Sequence, residues 1–330
     1  MLITKNILLS LGNDNLNQIT SDRSRIVHCN APSYEGREGH ILLMILDFCK
    51  DMDAMQQKFV NHTIIVDPAK GGHKSVVSAC LLLGAYLILR RAADVDNVIA
   101  LFGHDQVKLD VNQALHDLAP FRVIDCWSAL KHAVQHAWIS ECLEDEEPLT
   151  DLAELLHYSR AANGNVHAVI PGKLLFFATP DDSLRDVDWA DGARDACRTT
   201  RTFSPAFTAA LLHDLGVSAV ACLGTGSAAT ADALARHGIE AADLGLAADG
   251  SSLLRGLDRL LSLAAGAPGA VAVHSGDAGG GWPGYAGTLA KALLISRAGM
   301  GEGAAGAWLG LACPWLLRGA CGSLSGDHRR

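Results

Sequence analysis

The chain has 330 residues, 49% of them hydrophobic and 19% charged, which allows two domains of ordinary size and excludes wholesale disorder. Lys and Arg total 27 against 36 Asp and Glu, a formal charge of −9, and no basic run exceeds the pairs Arg90-Arg91 and Arg329-Arg330, so no nucleic acid is expected as a partner. The nine cysteines make no C-x-x-C spacing, which predicts small buried thiols in a reducing, cytoplasmic setting, with no zinc knuckle or redox dithiol.

In chain order, 39–59 has helical spacing with Leu42, Leu43, Leu46 and Phe48 turned inward. Asn61 to Val66 reads as a short buried strand. It is followed by Asp67-Pro-Ala-Lys-Gly-Gly and a helix from Ser75 to Arg91, the unit of an α/β layer. The apolar run inside that helix, Val76 to Leu89, is too short to span a bilayer, and the N-terminal apolar stretch is too short for a signal peptide, so no membrane association is expected. A further helix is expected over 123–138. The acidic run from Glu141 closes on Pro148 and reads as a solvated linker; Thr150 or Asp151 then caps a helix to about Ala161, which Asn163-Gly164 ends.

The second half opens with Val166 to Ile170 and Leu174 to Phe177, two strands around a Pro-Gly turn. Expected next are a helix over 207–215, a buried strand over 217–223, a helix over 229–237 and a strand near Asp243. They are followed by a helix over 253–264 and the strand Ala270 to His274. That strand runs into the glycine-rich loop 275–287, and a helix over 288–297 leaves it. Alternating β and α elements predict a mostly parallel sheet covered on both faces.

Two stretches carry possible chemistry. The first is Ala270-Val-Ala-Val-His-Ser-Gly-Asp-Ala-Gly-Gly-Gly-Trp-Pro-Gly-Tyr-Ala-Gly-Thr-Leu, a strand, a glycine loop and a helix N-terminus, which is the layout of an anion cradle. The second is Gly224-Thr-Gly-Ser-Ala-Ala after a strand, with Asp243 at the end of the next strand. That is the context of a dinucleotide fingerprint, so an NAD(P)-binding oxidoreductase stays open as an alternative.

The glycine loop resembles that of the protein-tyrosine-phosphatase superfamily, V-H-C-x-x-G-x-x-R-[ST]-G after a strand. More closely, the chain resembles the cell-division-cycle-fourteen family of dual-specificity phosphatases, from about Ser33 to about Arg318. The resemblance rests on Val169-Ile-Pro-Gly-Lys-Leu-Leu-Phe-Phe-Ala, Leu83-Gly-Ala-Tyr, Pro120-Phe-Arg, His132 with Gln135-His136, Gly216-Val-Ser-Ala-Val, Gly238 to Leu244, Asp249-Gly-Ser and Thr288-Leu289. It implies two tandem protein-tyrosine-phosphatase-like domains, each a central mostly parallel sheet flanked by helices. The expected division is an N-terminal phosphatase-like domain over 1–140 without a catalytic loop, a linker and interdomain helix over 141–165, and a dual-specificity phosphatase-like domain over 166–325.

The departures from the family pattern matter more. Ser275 stands where the resemblance implies the nucleophilic cysteine, and a serine there has a far higher pKa with no evident base beside it. Trp282 or Tyr285 falls near the place of the phosphate-clamping arginine, and about three residues are inserted. The former phosphate loop runs His274, Ser275, Gly276, Asp277, Ala278, Gly279, Gly280 and Gly281, and Asp277 would repel a phosphate within it. Asp249, 26 residues before Ser275, matches the family's general acid, and His274 its loop-supporting histidine.

No catalytic residue, cofactor or metal is therefore expected. The expectation is a pseudophosphatase acting as a scaffold or protein-binding module, with an active dual-specificity phosphatase as the alternative. By family analogy its partners are other proteins, in a cytoskeletal or axonemal assembly at a cilium or centrosome.

Overall fold

The structure, a computed structural model, describes residues 2–4, 6–9, 26–31, 41–68, 73–103, 121–139, 152–191, 201–246, 252–274, 283–314 and 316. Two compact units emerge, Met1–Asp145 with Met300–Leu311, and Glu146–Gly299 with Ala312–Arg330.

In the first unit, β1 (Leu2–Thr4), β2 (Ile7–Leu9) and β3 (Ile26–Ala31) precede α1 (Ile41–Lys58). Then come β4 (Thr63–Pro68), α2 (His73–Arg91), α3 (Val95–Phe102) and α4 (Val123–Gln135). The sheet order is β1-β2-β4-β3, with β4 parallel to both neighbours and β1 antiparallel to β2. Ile64, Ile65 and Val66 are buried on both faces, as a central parallel strand requires. α1 buries Ile41, Ile45, Phe48, Cys49 and Met52 at helical spacing. Leu43 of that helix, expected inside, is only half-buried.

Helix α2 is apolar all round, and Val77 and 79–83 with Ala85, Tyr86 and Ile88 have no exposure. Its Gly84 has a packing cause. A Cβ there would lie 2.2 Å from the indole of Trp127, whose Nε1 donates to the Leu81 carbonyl at 3.2 Å. The ring lies across the helix backbone, and only glycine leaves room for it.

The second unit begins with α5 (Leu152–Tyr158), β5 (Val166–Ile170) and β6 (Leu174–Phe177). A hairpin of β7 (Trp189–Asp191) and β8 (Arg201–Phe203) leads to α6 (Pro205–Asp214). There follow β9 (Val217–Cys222), α7 (Ala228–Arg236), β10 (Glu240–Asp243), α8 (Leu253–Gly266), β11 (Ala270–His274) and α9 (Pro283–Ala298). The sheet order is β10-β9-β11-β6-β5; the first four strands are parallel and β5 is an antiparallel edge. The core joins Val166, Leu175 and Phe177 to Leu212, Val220, Leu234 and Ala272. This parallel-rich sheet with helices is mixed α/β and compatible with a phosphatase-like fold.

Helix α10 (Glu302–Ala312) falls almost wholly in the first unit. Glycines explain its fit. A Cβ at Gly303 would stand 2.5 Å from Asp125 Oδ1, one at Gly310 2.5 Å from the Phe121 ring, and Trp308 packs 5.2 Å from Trp138. Helix α9 begins at Pro283, five residues before the expected start, with proline tolerated in a first turn. The proposed caps Thr150 and Asp151, and the acidic run before them, lie outside the described residues. Among the described residues no helix is long and apolar enough to cross a membrane.

Candidate functional site

A parallel sheet presents its ligand sites at the carboxyl ends of the strands, where the strand order reverses. In the second unit the chain passes from β9 outward to β10 and then returns to place β11 between β9 and β6. His274 ends β11, opposite Cys222 at the end of β9, and Asp243 ends β10. The ladder continues past these ends, with the N–H of Leu223 donating to the His274 carbonyl at 2.9 Å and that of Leu244 to the Cys222 carbonyl at 2.8 Å.

The His274 side chain is 4% exposed, and its ring lies 5.0 Å from that of Phe177. Burial pushes its pKa down to about 4, against the opposing pull of Asp243 and Asp182. The imidazole is therefore neutral at pH 7 even with two carboxylates in electrostatic reach. Apolar surroundings win over charge here.

Those two carboxylates are held by the turn after β9. Asp243 Oδ1 accepts the Gly226 N–H at 3.1 Å, and a Cβ on Gly226 would come within 2.9 Å of the same oxygen. Ser227 caps α7 in extended conformation, its Oγ accepting the Thr230 N–H at 3.0 Å. The same hydroxyl donates to Asp182 Oδ1 at 2.9 Å, and Thr230 Oγ1 reaches that oxygen at 3.4 Å. The amino end of α7, where a bound anion would gain most from the helix dipole, already faces a carboxylate of the chain itself.

Of the residues singled out in the sequence, the structure places His274 at the carboxyl end of the central strand and brings Gly226 and Asp243 together. Ser275, Gly276, Asp277, Ala278, Gly279, Gly280, Gly281, Trp282 and Asp249 lie outside the described residues. Tyr285 falls in the first turn of α9, with its side chain outside them. Sequence reasoning missed Asp182 and Thr230, and included Ser227 only as part of the Gly224-Thr-Gly-Ser-Ala-Ala turn. Asp182 sits in Asp181-Asp-Ser-Leu-Arg-Asp-Val-Asp, which reads as a solvated acidic stretch. The available signal was its place just past the carboxyl end of β6.

Thiol chemistry finds little support elsewhere. Burial pushes the thiols of Cys49 and Cys80 up to about 12 and raises those of Cys29, Cys126 and Cys313 as well. Such thiols are not poised nucleophiles. Among the described residues no group of three His, Cys, Asp or Glu side chains is placed to hold a metal ion.

No family model matches the chain. A curated protein, the dual specificity protein phosphatase CDC14AB of Danio rerio, is 24% identical over 144 residues, covering 42% of this chain. The match spans 23% of that relative's length. It supports a phosphatase-like relationship.

Proposed function

We propose that this chain is a phosphatase-like protein without phosphoryl-transfer activity, acting as a scaffold or protein-binding module. The observation that carries the reading is the carboxyl end of the second unit's parallel strands, where Asp182 and Asp243 stand within electrostatic reach of a neutral, buried His274. A phosphate dianion is held by cations and converging N–H groups. At an effective dielectric near 20, one like-charge pair about 4 Å apart costs about 4 kcal/mol, comparable to the whole free energy of a millimolar anion site, about 4.1 kcal/mol. The sequence adds Ser275 in place of a thiolate, Trp282 or Tyr285 in place of a guanidinium, and Asp277 within the loop. Loss of nucleophile and clamp each removes orders of magnitude in rate. The proposed partners are other proteins, by analogy those of a cytoskeletal or axonemal assembly.

One observation favours a second reading. The turn Gly224 to Ser227, between β9 and α7 with Asp243 on the adjacent parallel strand, has the topology of a dinucleotide site. Against it, Asp243 is bonded to that turn and Asp182 faces the helix end a pyrophosphate would need. NAD at millimolar concentration is expected to give no thermal shift, whereas occupancy at about 100 times the dissociation constant stabilises by about 2.7 kcal/mol.

The decisive assay uses the full chain with an aryl phosphate and with phosphoserine and phosphotyrosine peptides. No turnover above blank is expected, and none for Ser275→Cys, because restoring a thiol restores neither the clamp nor the charge balance. Turnover that disappears in Ser275→Ala would overturn the reading in favour of an active dual-specificity phosphatase.

A further inference from the structure

At the end of α1 in the first unit the chain turns through 59–62 into β4 and leaves a cavity of about 490 Å3, within the range of small-molecule sites. Asn6, Gln56, Phe59, Val60, His62 and Arg91 line it above Ile64. Three features of this wall point to one kind of occupant.

The first is Arg91. Its neighbour Arg90 is paired with Asp53 at 3.0 Å, and the Tyr86 hydroxyl also donates to that carboxylate at 3.0 Å. Arg91 has no carboxylate partner among the described residues. It donates to the neutral Gln56 amide and lies 5.9 Å from the centre of the Tyr86 ring. A guanidinium carries five donors in a fixed fork suited to an oxyanion, and most of that capacity is unused here.

The second is His62, whose ring meets Phe59 edge-on at 5.4 Å and whose buried Nδ1 has no hydrogen-bond partner among the described residues. A buried polar atom without a partner is costly in a native structure. The third is the apolar rim. Val60 is 67% exposed, and Phe59 carries the Lys58 ammonium 5.3 Å from its ring centre, a second cation beside the cavity. On a chain of net charge −9 this is a local concentration of positive charge next to exposed apolar surface.

We infer that the cavity bounded by Phe59, His62 and Arg91 binds a small organic oxyanion, a carboxylate or a phosphate monoester, with its charged end on the Arg91 guanidinium and its apolar part on Phe59 and Val60. The occupant supplies the oxyanion that Arg91 lacks among the described residues, and the His62 ring forms part of the wall beside it. The inference concerns the first unit alone and does not depend on the phosphatase-like reading of the second.

Calorimetric titration of the full chain with phenyl phosphate, phenylacetate, inorganic phosphate and benzyl alcohol tests it. Saturable binding of at least one phenyl-bearing anion is expected, weakening as salt rises, with benzyl alcohol inert and inorganic phosphate weaker for want of an apolar part. Which phenyl anion binds tighter identifies the head group, and phenylacetate cannot be hydrolysed, so any turnover leaves that arm intact. Arg91→Gln is expected to weaken binding about tenfold or more, since a hydrogen bond to a charged group contributes about 1.5–3 kcal/mol. Val60→Glu, at an exposed position that leaves the fold untouched, places a repelling carboxylate on the rim and should have the same sign. The absence of saturable binding by both phenyl anions, or binding indifferent to both variants, would overturn the assignment.

Discussion

In the first unit β4 runs through four residues into α2, and in the second β11 runs through eight into α9. The same local unit, a buried parallel strand feeding a long helix, is put to different use. In the first unit the helix is the centre of the core; from Ala79 to Leu89 every residue but Gly84 is a buried apolar one, and Trp127 is laid across its backbone. Near the end of β4, the Asp67 carboxylate meets Nδ1 of His28 at 2.5 Å, with the histidine 60% exposed. In the second unit the histidine at the strand end is buried and neutral, and the carboxylates around it are tied to a neighbouring turn. One unit spends its strand–helix junction on packing. The other keeps buried and charged groups side by side at the carboxyl ends of its strands.

The largest test of this contrast lies in the first unit. Trp127→Ala should destabilise by about 3–5 kcal/mol in urea unfolding, as removal of a buried indole does. Gly84→Ala should cost about 1–3 kcal/mol, because its new methyl meets the anchored ring. The two should be strongly non-additive, since without the indole the methyl has nothing to strike. Additive losses would mean that the ring does not lie on α2.

The next test concerns the second unit and pH. An ordinary histidine titrates near 6.5, and His274 in the folded chain near 4. Between those values the unfolded chain binds the extra proton, so stability falls as pH falls; above 6.5 both states are neutral and the residue contributes no pH dependence. The loss from this group is about 2 kcal/mol by pH 5 and about 3 kcal/mol by pH 4. Urea unfolding of His274→Asn should show a flatter profile across pH 6.5 to 5. A profile as steep as the parent's would assign the slope to other groups and remove the buried neutral histidine from the account.

What the sequence makes visible follows the strength of the local signal. β9 and β11 are mostly apolar runs, α1 is long and periodic, and α2 is long and apolar throughout its middle, so burial and pattern agree. β7 and β8 are three residues each, half of them polar, and form because Trp189 pairs across to Phe203 while Arg201 lies over the indole, contacts that neither short segment shows alone. α10, Glu-Gly-Ala-Ala-Gly-Ala-Trp-Leu-Gly-Leu-Ala, is a poor helix by propensity, and close approach to Phe121, Asp125 and Trp138 selects it. The site follows the same rule. Gly226 and Asp243 were visible as a spaced motif, whereas the meeting of Asp182 with Ser227, 45 residues apart, depends on strand order.

The smallest expected effect tests whether the end of α7 really faces a carboxylate. Ser227→Ala removes the cap on the Thr230 N–H and should cost about 1 kcal/mol, which by itself shows only that the helix is capped. Asn and Asp cap about equally well, so Ser227→Asn and Ser227→Asp separate the cap from the charge. Asparagine keeps the cap and remains neutral towards Asp182. Aspartate keeps the cap, gains from the helix dipole in isolation, and yet stands where the Ser227 hydroxyl now donates to Asp182 at 2.9 Å. Repulsion between the two carboxylates should outweigh the dipole and leave Ser227→Asp less stable than Ser227→Asn by about 1 kcal/mol at low salt. Added salt should narrow the gap, since exposed charges are screened. If Ser227→Asp matches or exceeds Ser227→Asn, Asp182 does not face the helix end, and the amino terminus of α7 is open to an anion from solution.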